Sequence, residues 1–247
     1  MKKIWAAVPC YTGEITVETA SSLFAEFAHA MSNRIGFCVE FCPYNPMIHY
    51  VRNFMCRKFL ETDYTDLVFI DADVGWTPGT LCQLAAYPVD IVGAVYPHRG
   101  EPEGYPIRYI PERTELSGVL FEGCEKPLLE VEGLPAGCLR ISRRALEVIQ
   151  AKFPQNVYAD MEGINTYSFF EFSKERGGFN GEDWHFCLMA RDAGLQIWCD
   201  PELDMTHTGT KTFRGNLGKH LRGRAAAPDM AAAMENIMKF AGVKEAA

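Results

Sequence analysis

The segment LVFIDADV at positions 67–74 decides the fold of this chain. Its four leading apolar residues are typical of a central strand that is covered on both faces. Asp71 and Asp73 follow at once, so charge begins where the strand ends. Open α/β sheets bind their ligands outside the carboxyl ends of the strands. The segment therefore predicts a buried strand that brings two carboxylates to a binding cleft.

Strand and helix patterns alternate on both sides of this segment. Short apolar runs predict strands at 4–8, 35–41 and 89–95, and apolar residues at helical spacing predict helices at 17–31, 48–60 and 78–86. Such alternation is typical of an open, mainly parallel α/β sheet flanked by helices.

The second half of the chain is less regular. We expect a loop or small hairpin at 97–135, strands at 138–141, 196–199 and 203–207, and helices at 143–151 and 182–193. A basic segment follows at 211–224, and a terminal helix is predicted at 230–240. We expect residues 1–224 to form one domain, with 225–247 as a helix packed on it or a tail.

Composition and charge exclude several classes of protein. A length of 247 residues with 48% hydrophobic residues suffices for a sizeable core, and a net charge of -8 argues against a generic nucleic-acid coat. The nine cysteines include no CxxC pair, which argues against a zinc ribbon or a disulfide framework. No apolar run approaches the roughly 20 residues of a membrane span. We expect a soluble protein in the cytoplasm of a bacterium or of a phage-infected host.

The two aspartates fit a hard divalent cation, because magnesium and manganese prefer oxygen ligands that they share with substrate phosphates. An Asp-x-Asp sequence also occurs in ordinary turns, so its context has to decide. Asp71-Ala72-Asp73 followed by Trp76-Thr77-Pro78 at a helix start resembles the metal-binding strand end of GT-A glycosyltransferases. These enzymes are Rossmann-like and use nucleotide sugars.

Further segments resemble the same family in the same order. They are Val8-Pro9 with Tyr11-Thr12-Gly13, Arg52-Asn53, the stretch from Gly137 to Arg144, Gly181-Glu182-Asp183 and Thr206-His207-Thr208-Gly209. Together they make the chain similar to family-2-like, hexosyltransferase-like enzymes of phage or bacterial origin.

The resemblance implies a donor such as a UDP-sugar, held with Mn²⁺ or Mg²⁺. Asp73 would be the principal metal ligand, Asp71 would serve the metal or the donor ribose, and His207 would complete the metal shell. The donor itself would contact Pro9, Tyr11 and Thr12 through its nucleotide, and Arg52, Lys211 and Arg214 through its diphosphate. Cations beside a leaving diphosphate offset the charge that it develops.

The resemblance makes Asp183 the candidate base that takes the proton of an acceptor hydroxyl, with Glu182 in reserve. Both acids would also be favourable simply as anions at a helix N-terminus. The sequence leaves open whether the reaction inverts or retains the anomeric centre.

Other functions stay open at this point. A nucleotidyltransferase or sugar-phosphate hydrolase also places metal carboxylates at a strand end, and a noncatalytic nucleotide-sugar-binding module would share the fold. The acceptor is a glycan, a protein, a small molecule or, as in phage enzymes, a modified DNA base. The basic segment fits either a lid over the donor or an arm on DNA, and the oligomeric state is open.

Overall fold

The computed structural model of the chain describes residues 1–110, 118–174 and 178–225. Its centre is a seven-stranded sheet. In spatial order the strands are β2 (Gly36–Pro43), β1 (Lys3–Cys10), β3 (Asp66–Ile70), β7 (Cys138–Ser142), β5 (Ile91–Gly93), β10 (Ile197–Cys199) and β6 (Leu129–Val131). Strands β1, β2, β3, β5 and β10 run in one direction, and β7 and β6 run against them.

Helices cover both faces of this sheet. They are α1 (Val17–Ser32), α2 (Ile48–Leu60), α3 (Thr80–Ala86), α4 (Arg143–Lys152), α5 (Glu182–Asp192) and α6 (Leu217–Ala225). Alternate residues of β3 enter two separate cores: Leu67 and Phe69 pack with α2, α4 and α5, whereas Val68 and Ile70 pack with α1 and α3. This two-sided burial explains why β3 is apolar throughout. The predicted fold class, an open and mainly parallel α/β sheet flanked by helices, is confirmed.

A second, three-stranded sheet begins where β3 ends. It pairs β4 (Val74–Trp76) with β11 (Met205–Thr208), and β11 with β12 (Thr212–Gly215), all antiparallel. Because β4 starts directly after Asp73, the turn that carries the two aspartates joins the two sheets. A small hairpin of β8 (Val157–Ala159) and β9 (Asn165–Tyr167) lies apart from both sheets.

The sequence patterns miss five of these strands and helices. Strand β4 is only three residues long, and the β8–β9 hairpin lies in a polar stretch without a clear period. The basic segment contains β12 and α6 instead of a continuous tail. The helix predicted at 230–240 lies outside the described residues. In the parts of the chain that the structure describes, no helix has the length and apolarity to cross a membrane.

Candidate functional site

The turn after β3 is held from both sides. The Asp71 backbone N–H donates to the Gly137 carbonyl at 3.1 Å, and the Val74 N–H donates to the Asp71 carbonyl at 3.2 Å. At the start of α1, the Thr16 N–H donates to the Ala72 carbonyl at 2.9 Å. These bonds fix the backbone between the two aspartates, so their carboxylates are presented from a rigid turn.

Asp71 lies in a close-fitting polar pocket. Its Oδ1 accepts from Arg52 Nη2 at 2.9 Å, and its Oδ2 accepts from the Tyr96 hydroxyl at 3.2 Å. A Cβ at position 137 would lie 2.3 Å from Asp71 Oδ2. Only glycine leaves room there, which explains the residue that begins the stretch from Gly137 to Arg144.

Arg52 connects Asp71 to the other side of the cleft. Its guanidinium is buried, donates to Asp71 and Glu182, and lies over the rings of Phe69 and Phe170. Burial alone would lower the pKa of Arg52, but the two carboxylates outweigh it and raise that pKa. A buried arginine with two carboxylate partners positions those carboxylates. Arg52 thus has two carboxylate partners within the protein, and the phosphate contact expected for it stays a prediction.

Asp73 and His207 face each other across the start of the small sheet. His207 Nε2 lies 3.6 Å from Asp73 Oδ1, and His207 Nδ1 lies 2.9 Å from the Pro97 carbonyl oxygen. Since a carbonyl can only accept, Nδ1 carries the proton and the lone pair of Nε2 points toward Asp73. Burial lowers the pKa of His207, with a further contribution from Arg99, so the ring is neutral near pH 7.

Arg99 forms an ion pair with Asp73. Its side chain also borders the turn after β11, because a Cβ at position 209 would lie 2.9 Å from Arg99 Cδ. The carboxylate expected to bind a cation is thus already in contact with a protein cation. Arg99 pairs with Asp73 Oδ2, whereas His207 faces Oδ1, so Arg99 and a metal ion would share one carboxylate, and the charge of Arg99 would oppose the binding of the cation.

The residues present fit a divalent cation that shares its ligands with a substrate. Among the described residues, no group of three or more His, Cys, Asp and Glu side chains is arranged to enclose a metal ion. Asp73 supplies carboxylate oxygens and His207 a neutral imidazole whose other nitrogen is anchored, as is usual for metal-ligating histidines. Magnesium and manganese need only one or two protein ligands when phosphate oxygens supply the rest.

The two acids at the start of α5 have different environments. Glu182 is bound to Arg52, whereas the Asp183 Oδ1 accepts only the N–H of Trp184, at 2.7 Å, among the hydrogen bonds of the described residues. Burial and the neighbouring charge of Glu182 raise the pKa of Asp183 to about 6. Asp71 and Arg52 also act on this pKa, which shows that Asp183 belongs to the same charge cluster.

The predicted nucleotide loop opens at the same edge of the sheet. Pro9 is buried near the end of β1, and Tyr11 and Thr12 are exposed beyond it. Gly13 closes this loop through an N–H bond of 2.9 Å to the Cys10 carbonyl, at a positive φ of 77°. Because β1 runs parallel to β3, its carboxyl end lies beside the aspartate turn.

The two predicted diphosphate contacts in the basic segment differ in placement. In the β11–β12 pair, His207 opposes Phe213 and Thr206 opposes Arg214. Directly opposed residues share one face of a sheet and neighbours alternate, so Arg214 lies on the face away from His207. There it lines a cavity of about 770 Å³ between α1, β12 and α6. Lys211 pairs with Glu101 at 2.7 Å.

Sequence reasoning missed Tyr96, Pro97 and Arg99. They follow β5, whose carboxyl end lies at the same edge of the sheet as that of β3. Tyr96 contacts Asp71, Pro97 contacts His207, and Arg99 contacts Asp73. A tyrosine and an arginine directly after an apolar strand were the available signal. The stretch from residue 97 is rich in proline, glycine and glutamate, and this composition predicts only a loop or small hairpin.

Comparisons with known proteins place the fold but not the family. No family model matches the chain, and no curated protein matches it either. Among solved structures, A197 from STIV is 17% identical, with 84% of this chain and 86% of that chain aligned at a TM-score of 0.50. A mutant of Drosophila beta-1,4-galactosyltransferase 7 in complex with manganese, UDP-Gal and xylobiose is 14% identical, over 95% and 79%, at 0.44. TarS from S. aureus is 14% identical, over 80% and 58%, at 0.41. The similarity to A197 shows a shared fold, and function has to be argued from the site.

Proposed function

We propose that this chain is a glycosyltransferase that transfers a sugar from a nucleotide-diphosphate sugar to an acceptor hydroxyl, with Mn²⁺ or Mg²⁺ at the donor diphosphate. One observation carries the proposal. The acids Asp71, Asp73 and Asp183 and the imidazole of His207 lie at one edge of an open α/β sheet, where His207 faces Asp73 and Arg52 pairs with Asp71 and with Glu182, the neighbour of Asp183. Open sheets of this kind bind substrates at that edge.

On the donor side, Asp73 and His207 would hold the cation, and Asp71 would meet the ribose or a metal-bound water. When bound, the cation neutralises charge on the diphosphate as it leaves. The cation would bind Asp73 through Oδ1 on the His207 side, since Arg99 pairs with Oδ2. The Arg99 guanidinium would stand beside the diphosphate, where its fork of donors matches phosphate oxygens. Tyr11 and Thr12 border the nucleotide at the end of β1.

On the acceptor side, Asp183 is the general base. Its pKa of about 6 leaves the carboxylate ionised at pH 7 and close enough to neutrality to accept a proton efficiently. The acceptor oxygen forms a bond to the anomeric carbon, and the bond from that carbon to the diphosphate oxygen breaks. The diphosphate keeps the electron pair, and the hydroxyl proton passes to Asp183. Glu182 is unsuited to this role because Arg52 holds it as an ion pair.

The test is a screen of nucleotide sugars, including UDP-, GDP- and dTDP-sugars, by thermal shift with and without Mn²⁺. Hits are then assayed for release of the nucleoside diphosphate. Asp73→Asn is compared with Asp63→Asn as a matched control. Asp63 lies just before the amino end of β3, and its side chain is 77% exposed. We expect a Mn²⁺-dependent shift and turnover in the wild type and in Asp63→Asn, and neither in Asp73→Asn.

Other outcomes would overturn this function in distinct ways. Tight nucleotide binding without hydrolysis or transfer for any donor would indicate a binding module. Release of pyrophosphate from a nucleoside triphosphate would indicate a nucleotidyltransferase. Equal Mn²⁺-dependent activity in Asp73→Asn and the wild type would remove Asp73 from the metal site.

A further inference from the structure

Two exposed phenylalanine rings and the half-buried ring of His49 form an aromatic platform that the proposed mechanism does not use. The side chains of Phe172 and Phe179 are 48% and 69% exposed. Their rings stack with centroids 5.8 Å apart and planes at 17°, and the ring of His49 meets Phe172 edge-on at 5.2 Å. Phenylalanine is usually buried, and a contiguous exposed apolar surface often marks an interaction site.

The platform is held in place by polar contacts beneath it. Ser173 and Asn180 exchange two backbone hydrogen bonds of 3.2 and 2.8 Å, which bring the segments that carry the two phenylalanines together. Asn180 is buried and donates through its side chain to the Ser173 hydroxyl at 3.3 Å. These bonds fix the spacing of the rings.

Helix α2 places this platform beside the candidate site. Residues three and four apart lie on one face of a helix, so His49, Arg52 and Asn53 share a face. Asn53 accepts the backbone N–H groups of Phe169 and Phe170 at 2.9 and 2.8 Å, and Arg52 binds Asp71 and Glu182. His49 therefore brings the platform to within about one helical turn, or roughly 5 Å along the axis, of the arginine that organises the site.

The end of the platform leads directly into α5. Phe179 is followed by Asn180, by the helix cap Gly181 and then by the two acids of the helix start. Only three residues separate Phe179 from Asp183, the candidate base. A molecule that covers the rings would extend toward the carboxylate that takes the acceptor proton.

Charges around the platform select against polyanions. In the adjoining charge cluster the carboxylates of Asp71, Glu182 and Asp183 all act on the single cation of Arg52, so carboxylates outnumber cations there. A nucleic acid needs cations for its phosphates. Hexopyranose rings instead present apolar C–H faces and hydroxyl edges, which suit aromatic faces and carboxylate acceptors respectively.

We propose that His49, Phe172 and Phe179 bind the acceptor, and that the acceptor is a neutral carbohydrate whose sugar ring stacks on Phe172 and Phe179. This inference rests on the proposed function, since it assigns the substrate class of the same site. The stacked sugar would present its neighbouring hydroxyl to Asp183.

The test measures acceptor binding directly, without turnover. Saturation-transfer NMR and calorimetry would follow xylobiose, cellobiose, lactose and maltose, and in parallel a DNA oligonucleotide, on the 247-residue chain with Mn²⁺ and UDP. The variants are Phe172→Ala and Phe179→Ala, with Phe172→Tyr and Phe179→Tyr to keep the rings. Phe24→Ala is the matched control, because Phe24 is 78% exposed on α1 and contributes to neither the aromatic platform nor the candidate site.

We expect at least one of these sugars to bind the wild type, the tyrosine variants and Phe24→Ala alike. Each alanine variant should bind it about 10-fold more weakly while UDP binding stays unchanged. The inference is overturned if UDP binds and none of the sugars does, if the alanine variants bind sugar normally, or if DNA binds in place of sugar and needs these rings. Failure of UDP itself to bind the wild type would instead overturn the proposed function.

Discussion

Replacing Asp183 by asparagine should stabilise the protein while abolishing transfer. Burial and the charge of Glu182 raise the pKa of Asp183 to about 6, so ionisation of this group costs free energy in the folded state. Asparagine keeps the size of the side chain and the Oδ1 that accepts from Trp184 at 2.7 Å, and it carries no charge. The change therefore removes an electrostatic penalty together with the base.

The magnitude follows from the pKa shift. The pKa rises from 3.8 to about 6, or by about 2 units, and each unit corresponds to about 1.4 kcal/mol, which gives about 3 kcal/mol. Solvent that reaches the partly exposed carboxylate reduces this to about 1–2 kcal/mol. The folded state binds more protons than the unfolded state between these pKa values, so wild-type stability falls as the pH rises from about 4 through about 6.

Urea unfolding of both proteins between pH 4 and pH 8 measures this difference. We expect the two proteins to have equal free energies of unfolding near pH 4. Near pH 8 the variant should be more stable by about 1–2 kcal/mol. Glu182→Gln is a control for which we expect the opposite change in stability. It leaves the buried Arg52 with one carboxylate fewer, so it should destabilise the protein by about 3 kcal/mol. An Asp183→Asn variant that is less stable than the wild type at pH 8, or a gap that does not change with pH, would refute the desolvation argument.

The remaining predictions concern the donor side. Asp73→Asn should lower turnover at least about 100-fold with little change in melting temperature, and a normal rate in Mn²⁺ would contradict its assignment as a ligand. His207→Ala should weaken Mn²⁺ binding in calorimetry more than it lowers stability; early melting with normal Mn²⁺ binding would show a structural histidine. Arg99→Ala should raise the Mn²⁺ affinity of the donor-free protein about 2- to 5-fold in an electron-spin titration, because the ion pair that it removes is partly exposed. An unchanged affinity would show that Arg99 does not compete with the cation.

The sequence by itself determined the elements whose patterns are local. The apolar run of β3 predicted a central strand, since such a strand needs apolar residues on both faces. Helical spacing predicted α2 over the residues that the structure assigns to it, Ile48–Leu60. The order of strands and helices predicted the open, mainly parallel sheet, and the rule that ligands bind at strand ends placed Asp71 and Asp73 at a shared edge.

Only the tertiary structure decided which side chains meet. Arg52 and Glu182 are 130 positions apart, and no local pattern encodes their ion pair. The register of β12 turned Arg214 away from His207, because a one-residue step along a strand reverses the face. Arg99 pairs with Asp73 from a loop whose sequence has no hydrophobic periodicity. Periodicity reports which face of an element is buried, whereas contacts between distant elements depend on packing that the whole chain sets together.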